Sequence, residues 1–389
     1  MKTYKHIYEQ AVKEENIRAD IETAAKHKHK RRDVQDVLKN VDPHIDIVKD
    51  MLLHHSYTTP PYEGFTIKDG AKDKQRTISK PRFCYDQIIA NVIVHHVKPI
   101  VMKSMYHHVY GSIEGRGQIQ VKKALEKWIR NDYMGSKYIA QGDVRDCYHS
   151  INQDRLSRLL HEKIKDEDFM EEADKFVYQM PVGIQDPDII YHDNGGIVLG
   201  DPTSVWYSHL YFEKMDHYVS SLPGVDHYLR LADDFVLMGS NKKKLHAAME
   251  ETKRYLFEDM FLRLKFNYKV FRMDWIDKDG EHHGQFLDID GYRFYRDKTT
   301  MRKGIMIHAT RKASRVAKRD YPNIHDARQM MSHLARLKTC DCYNVYENYV
   351  KGKVNPKQLR GIISNYDRKE RLNELERSRG LSDREACGD

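Results

Sequence analysis

Residues 227–239 read HYLRLADDFVLMG, an apolar strand pattern that is interrupted by two adjacent carboxylates, Asp233 and Asp234. Strand-forming residues lie on both sides of the pair, so the segment predicts two strands joined by a tight turn with the acids at its tip. Carboxylates in an apolar setting are costly unless a cation neutralises them. A single pair of this kind is also compatible with an ordinary exposed turn, so the interpretation depends on the rest of the chain.

A second carboxylate follows another strand candidate. Residues 137–144 read KYIAQGDV, in which Asp143 ends the apolar segment, and Tyr148 follows five positions later. If this strand pairs beside the hairpin, three carboxylates converge. Hard oxygen ligands of this kind suit Mg²⁺, and two such ions about 3.5–4 Å apart support in-line phosphoryl transfer.

A third feature is a glycine-rich approach to a helix. Gly195, Gly196 and Gly200 precede a helical stretch that carries Ser204. Glycine lets the backbone come close to a ligand. A helix-capping loop explains this segment equally well when it is considered alone.

The remaining pattern predicts an α+β chain. The polar N-terminal region has helical spacing to about Ser56, and the chain becomes helical and basic from Thr310. Between them we expect strands in 65–78, a helix over 85–105, an amphipathic helix ending at Asn131, and strands at 291–297 and 303–309.

Composition narrows the class of protein. Apolar residues make up 40% of the chain, which allows a sizeable core, but there is no long apolar run that predicts a membrane span. The N-terminus lacks the apolar region of a signal peptide, and the five cysteines form no disulfide or zinc framework. We therefore expect a cytoplasmic protein.

Charge is concentrated in two places. The net charge is +8, with a basic run at residues 26–32 (KHKHKRR) and a second at 311–319 (RKASRVAKR). Such clusters indicate a nucleic-acid partner better than the total does. Solvated helix faces are the alternative for either run.

Together these motifs resemble the palm of a reverse transcriptase. Residues 142–151, 196–204 and 228–239 are similar, in this order, to the first palm motif, the glycine–serine motif and the tyrosine-x-Asp-Asp hairpin. The resemblance continues in the fingers (74–79, 85–93 and 110–117) and in the last palm motifs (262–270 and 287–296), and so extends from about Phe65 to Arg302. It is nearest to bacterial enzymes of the group II intron-like type, which include defence-associated and diversity-generating retroelement reverse transcriptases.

The resemblance implies a right-hand polymerase with fingers, an antiparallel palm sheet that carries the three aspartates, and a helical thumb. The implied division is an N-terminal helical basic extension at 1–60, fingers at 61–135, palm at 136–300, and a basic helical thumb and tail at 301–389.

It also implies roles for individual residues. Asp143, Asp233 and Asp234 would be catalytic and would bind two Mg²⁺ ions, with Mn²⁺ as a substitute, and Tyr148 would exclude the ribose 2′-hydroxyl. The other implied dNTP-binding residues are Arg76, Lys74, Lys68, Gly200, Ser204 and Lys269. We expect nucleic-acid contacts from the basic residues Lys28, Lys30, Arg31, Arg32, Arg116, Arg311, Lys312, Arg315, Lys318 and Arg319.

Three positions depart from the usual motifs. Leu231 stands where the hairpin tyrosine is usual, and Leu199 where glutamine is common. Val205 follows Ser204, where diversity-generating enzymes usually have glutamine. These departures favour a role in antiviral defence over diversity generation.

The implied activity is RNA-directed DNA polymerisation. Its partners would be a structured or template RNA, dNTPs and the cDNA product, without a membrane; a second copy of the chain or an accessory protein is a further candidate. A catalytically inactive RNA-binding scaffold, or an RNA-binding structural protein, is the alternative from another class.

Overall fold

A computed structural model describes residues 3–60, 64–69, 74–180 and 195–385. The chain forms two compact units, one of Met1–Val121 with Tyr133–Arg272 and the other of Lys122–Asp132 with Met273–Asp389. The helices are α1 (Tyr8–Ala11), α2 (Glu14–Ala25), α3 (Arg32–Lys39), α4 (Val41–Leu53), a π-helical turn (Phe83–Gln87), α5 (Ile88–Ser104), α6 (Gln118–Asn131), α7 (Cys147–Ser150), α8 (Gln153–Lys163), α9 (Glu167–Val177), α10 (Pro202–Ser220), α11 (Lys242–Glu258), α12 (Lys303–Ala317), α13 (Ile324–Lys338), α14 (Tyr343–Tyr349) and α15 (Pro356–Glu385). The strands are β1 (Gly64–Asp69), β2 (Lys74–Ser79), β3 (Val109–Tyr110), β4 (Tyr138–Asp143), β5 (His227–Leu231), β6 (Asp234–Gly239), β7 (Lys269–Arg272), β8 (Trp275–Ile276), β9 (His282–His283), β10 (Leu287–Ile289), β11 (Tyr292–Phe294) and β12 (Thr299–Met301).

The first unit is organised around a five-stranded sheet in the order β3-β5-β6-β4-β7. Its pairs are antiparallel, apart from the short edge strand β3, which runs parallel to β5. Gly142 is needed in β4 because a Cβ there would come within 2.5 Å of the Phe235 ring. The absence of a side chain therefore lets the strands that carry the aspartates pair closely.

Helices pack around this sheet in the first unit. The long helix α10 contacts α5, α8 and α11, and Tyr207, Tyr211 and Phe212 on it are fully buried. The N-terminal helices join the same core, since Ile17 and Ile21 of α2 are 0% exposed and α2 packs on α5.

The second unit combines a three-stranded antiparallel sheet, β10-β11-β12, with helices α12 to α15. The strand predicted at 303–309 is wrong, because these residues begin α12. Ile305, Ala309 and Ala313 recur every four residues and lie at or in the unit's core. The helical period thus continues into the segment and overrides its short apolar appearance.

The predicted α+β class is confirmed, and the parallel strand β3 is an addition to the predicted antiparallel sheet. The fourfold division into extension, fingers, palm and thumb stays a prediction. No helix in the described ranges has both the length and the apolar character that crossing a membrane requires.

Candidate active site

The two strands predicted to carry the acids are neighbours in the sheet. β4 pairs antiparallel with β6 in a register that places Asp143 directly opposite Asp234. Directly opposite residues have Cβ atoms about 4.5–5.5 Å apart. Asp233 precedes Asp234 at the tip of the β5–β6 hairpin, and its carbonyl accepts a hydrogen bond from the Val144 N–H at 3.1 Å. The fold therefore brings the three aspartates to one sheet edge.

A lysine lies at the first of these carboxylates. Lys265 Nζ is 2.5 Å from Asp143 Oδ2, and the Lys265 N–H donates to the Asp143 carbonyl at 2.9 Å. The other carboxylate oxygen, Asp143 Oδ1, is buried and has no hydrogen-bond partner. An ammonium at one oxygen and an unsatisfied second oxygen show that this position favours a cation. The carboxylates present therefore fit the divalent ions that the sequence resemblance implies.

Two other groups of potential metal ligands occur among the described residues. One contains His55, Glu171 and Glu172, and the other contains Asp277, Glu281 and His283. In the first, Lys175 Nζ already lies 2.7 Å from Glu172 Oε1. In the second, His283 Nε2 lies 2.6 Å from Asp277 Oδ2. Contacts within each group account for its arrangement.

Tyr148 lines a small cavity beside the hairpin. The ring lies on the single-turn helix α7, and the cavity also contacts Val205, Ala232 and Asp233. Burial raises the pKa of Tyr148, and its hydroxyl interacts with that of Ser208. The phenol is thus held neutral at the wall of a cavity that reaches a predicted metal ligand.

His209 lines the same cavity and was not predicted. It is 3% exposed, and its Nε2 is 3.1 Å from the Gly111 carbonyl, so Nε2 carries the proton and donates. Burial, followed by the nearby Arg230, lowers its pKa to about 3. His209 is therefore a neutral link between α10 and the 111–116 loop, which also contacts the hairpin.

The glycine–serine segment forms a tight approach to β2. Gly200 has φ +114°, and a Cβ there would lie 2.5 Å from the Ser79 carbonyl. Ser79 N–H donates to the Leu199 carbonyl at 2.9 Å. Ser204 is buried and its hydroxyl donates to the Val198 carbonyl at 2.7 Å, so it stabilises this loop. A direct dNTP contact by Gly200 or Ser204 stays a prediction.

The cations predicted to contact the triphosphate lie on β1, β2 and β7. The backbone pairs Lys68 with Gln75, Asp69 with Lys74, and Ile67 with Arg76. The side chains of Lys68, Lys74 and Arg76 lie outside what the structure describes. Lys269 is exposed at the start of β7, opposite Gln141, and Lys265 rather than Lys269 contacts Asp143.

Several predicted RNA-binding residues in the N-terminal basic run and the 110–117 loop contact their own chain. Lys28 Nζ donates to the Ala24 carbonyl at 2.9 Å and to the Gln87 side chain at 2.5 Å. Arg31 pairs with Asp33 at 2.5 Å, and Arg116 donates to the Tyr106 carbonyl at 3.4 Å. Arg32 is exposed, as is Lys30, which makes a further contact.

The C-terminal basic cluster divides into two sets. Lys312 is buried 2.5 Å from Asp326, which Arg319 also contacts. Arg311, Arg315 and Lys318 are exposed. Their spacing of four and three residues places them on one face of α12 and its C-cap, and we call these three residues the α12 stripe.

Comparison with protein-family models shows which family this chain belongs to. The family model described as reverse transcriptase (RNA-dependent DNA polymerase) matches residues 67–269, which is more than half of the chain. This chain belongs to the reverse transcriptase family. The matched region contains Asp143, Asp233 and Asp234 together with four strands of the five-stranded sheet, β3 to β6, and only the first residue of β7. The family match confirms the predicted right-hand polymerase fold.

No curated protein sequence matches this member of the family. Among solved structures, it is similar to apo telomerase from Candida tropicalis, with 9% sequence identity and a TM-score of 0.45. The similarity covers 72% of this chain and 52% of the telomerase chain, so the chain spans about half the length of that relative.

Proposed function

We propose that this reverse transcriptase family member is an RNA-directed DNA polymerase that transfers nucleotides with the help of two divalent cations. The observation that carries the proposal is the register of β4 and β6, which sets Asp143 opposite Asp234 with Asp233 adjacent. These three side chains would hold Mg²⁺, or Mn²⁺ in its place. When bound, the ions would activate a primer 3′-hydroxyl and stabilise the leaving pyrophosphate.

The chain's own residues would prepare this site. Lys265 neutralises Asp143, and we infer that it moves aside when a cation binds there, since both compete for the same carboxylate. Tyr148 would limit the space at the sugar, and the cations on β1, β2 and β7 would contact the dNTP phosphates. The full chain, incubated with a primed RNA template, should produce DNA from dNTPs. Failure to extend any primed template, with RNA binding retained, would favour the inactive scaffold.

We further infer a bacterial, group II intron-like enzyme that copies a dedicated RNA in defence against phage. The support comes from Val205, which lines the cavity beside Tyr148. Glutamine is usual here in diversity-generating enzymes, and an amide can donate and accept hydrogen bonds at a base edge. Valine can do neither, so it leaves base selection to the shape of the pair. Diversity generation is the alternative role.

The presence of valine rather than glutamine at position 205 predicts how copying errors are distributed over the four template bases. The enzyme should copy template adenines with an error frequency within about threefold of the other bases, because an apolar wall supplies no base-specific hydrogen bond. The measurement is deep sequencing of cDNA copied from a defined RNA with all four bases. Val205→Gln is the informative variant and Val205→Ile the matched control. Errors concentrated at adenines in the unmodified enzyme would favour diversity generation.

We infer that a structured RNA binds the α12 stripe. The stripe is exposed and cationic, and residues 303–319 contain no acidic side chain. By contrast, four other predicted RNA-binding residues already contact side chains of their own chain, so we expect them to contribute less to RNA affinity; they are Lys28, Arg31, Lys312 and Arg319. The four cysteines within the described residues are free thiols, which is compatible with the cytoplasmic location we propose.

The stripe yields a salt-dependence prediction. Replacing Arg311, Arg315 and Lys318 by Gln should flatten the log–log dependence of RNA affinity on salt by about 0.7–0.9 for each lost phosphate contact. Affinity should be measured by filter binding at several salt concentrations. The control replaces three exposed lysines of α11, Lys242, Lys243 and Lys244, by Gln, which changes the charge equally. Equal slopes for both triple variants would show that the stripe is only a solvated face.

A further inference from the structure

A buried ion pair lies directly behind the catalytic hairpin. Arg230 of β5 and Asp216 of α10 have side chains that are 1% and 0% exposed. Arg230 Nε is 2.7 Å from Asp216 Oδ1, and Nη2 is 2.8 Å from Oδ2, so the contact is bidentate. Burying two charges often costs as much free energy as their attraction returns. Stabilisation of the fold alone is therefore a weak explanation for the presence of this ion pair.

The third nitrogen of Arg230 points to the hairpin tip. Nη1 donates to the Ala232 carbonyl at 2.9 Å. Ala232 has φ +54°, in the left-handed region that costs a non-glycine residue about 1 kcal/mol, and it directly precedes Asp233. Its N–H donates to the Tyr110 carbonyl at 3.1 Å. The backbone of Ala232 is thus held from both sides in a conformation that it would not favour alone.

The other end of the ion pair is fixed as well. The Tyr228 hydroxyl donates to Asp216 Oδ1 at 2.7 Å, and the Arg230 guanidinium lies 4.7 Å from the centre of the Phe212 ring. Both Asp216 and Phe212 belong to α10, whose packing face is fully buried. A continuous set of contacts therefore connects a rigid helix to the peptide that carries the metal ligands.

We propose that Arg230 is a positioning residue: oriented by Asp216, it holds the Ala232 carbonyl and thereby sets Asp233 and Asp234 in the geometry that divalent cations require. This inference rests on the proposed function only in one respect, namely that the bound cations serve nucleotide transfer. Without the Arg230 contact, Ala232 can relax toward ordinary backbone angles, and the two carboxylates then lose their common orientation. Partners that orient metal ligands typically change metal affinity about 10–100-fold when they are removed.

The test separates positioning from stability by removing both charges at once. Asp216→Leu with Arg230→Met leaves no unpaired buried charge, so this double variant should fold, with a melting temperature lowered by no more than the loss of the Tyr228–Asp216 hydrogen bond explains. We expect its affinity for Mn²⁺, titrated alone and followed by electron paramagnetic resonance, to fall about ten-fold. The Mg²⁺ concentration for half-maximal dNTP incorporation should rise similarly, with KM for the primed template unchanged.

The matched control is a second ion pair, between Glu213 of α10 and Lys163 of α8. Lys163 and Glu213 are 10% and 12% exposed and lie 2.9 Å apart, with Glu213 one turn from Asp216. Lys163→Met with Glu213→Leu should leave Mn²⁺ affinity unchanged. If the first double variant does not fold, Arg230→Lys serves instead, because an ammonium keeps the charge but lacks the fork that reaches both Asp216 oxygens and Ala232. It should weaken Mn²⁺ binding about threefold.

If the wild type and the folded Arg230 variant bind Mn²⁺ with equal affinity, whatever its value, the proposal is overturned. The Arg230–Asp216 pair would then contribute only to packing. The Mn²⁺ titration needs no catalysis. A wild type that fails to extend primers would therefore refute the proposed polymerase activity, while the comparison of Mn²⁺ affinities would still decide the role of Arg230.

Discussion

Replacing Asp143 by Asn should reduce the rate of dNTP incorporation by about three orders of magnitude, since electrostatic stabilisation by bound cations supplies several kcal/mol in reactions of this kind. Asn keeps the shape of the side chain but not its charge, so the site would lose its hold on a cation beside Asp234. Asp233→Asn with Asp234→Asn should have an effect at least as large. Single-turnover incorporation at saturating primed template is the appropriate measurement.

Folding and RNA binding should survive these changes. The side chains of Asp143 and Lys265 are each about one-third exposed. Their ion pair therefore contributes only about a fraction of a kcal/mol to the free energy of unfolding. Asp146→Asn is the matched control, because Asp146 is exposed, three residues away and in a left-handed conformation that Asn tolerates. Substantial synthesis by Asp143→Asn would refute the assignment of the site.

Replacing Tyr148 by Ala should lower the preference for dNTPs over rNTPs by about one to two orders of magnitude. The ring forms a wall of the cavity that reaches Asp233, and its removal leaves room for a 2′-hydroxyl. The measurement is the ratio of kcat/KM for the two substrates. Tyr148→Phe keeps the ring and should retain the preference, although it loses the interaction with Ser208. An unchanged ratio in Tyr148→Ala would place sugar selection elsewhere.

The β5–β6 hairpin could be predicted from sequence because the residues that determine it are close together in the chain. Strand-forming residues on both sides of Asp233 and Asp234 fix the turn, and β4, β5 and β6 lie where their apolar patterns indicate. The error at residues 303–309 has the opposite cause. A short apolar segment fits a strand or a helix, and only the continuation through Ala313 and Val316 onto the core of the second unit decides for α12.

Contacts between side chains that are far apart in the sequence could not be predicted from the sequence. Lys28 and Lys312 belong to basic runs, yet their ammonium groups are engaged by Gln87 and Asp326, which lie elsewhere in the sequence. The contact between Lys265 and Asp143 spans 122 positions. Arg230, between the apolar strand residues Leu229 and Leu231, is a local signal that could have indicated a buried charged partner.

We propose above that the three aspartates at one edge of the five-stranded sheet support RNA-templated DNA synthesis. The most direct test of this proposal is the extension of a labelled DNA primer on an RNA template by the full chain with dNTPs and Mg²⁺, compared with the same reaction containing EDTA and with Asp143→Asn. We expect a full-length DNA product in the first reaction and none in the other two. Extension that persists in EDTA or in the Asp143→Asn variant, or no extension by the wild type on any primed RNA, would contradict it.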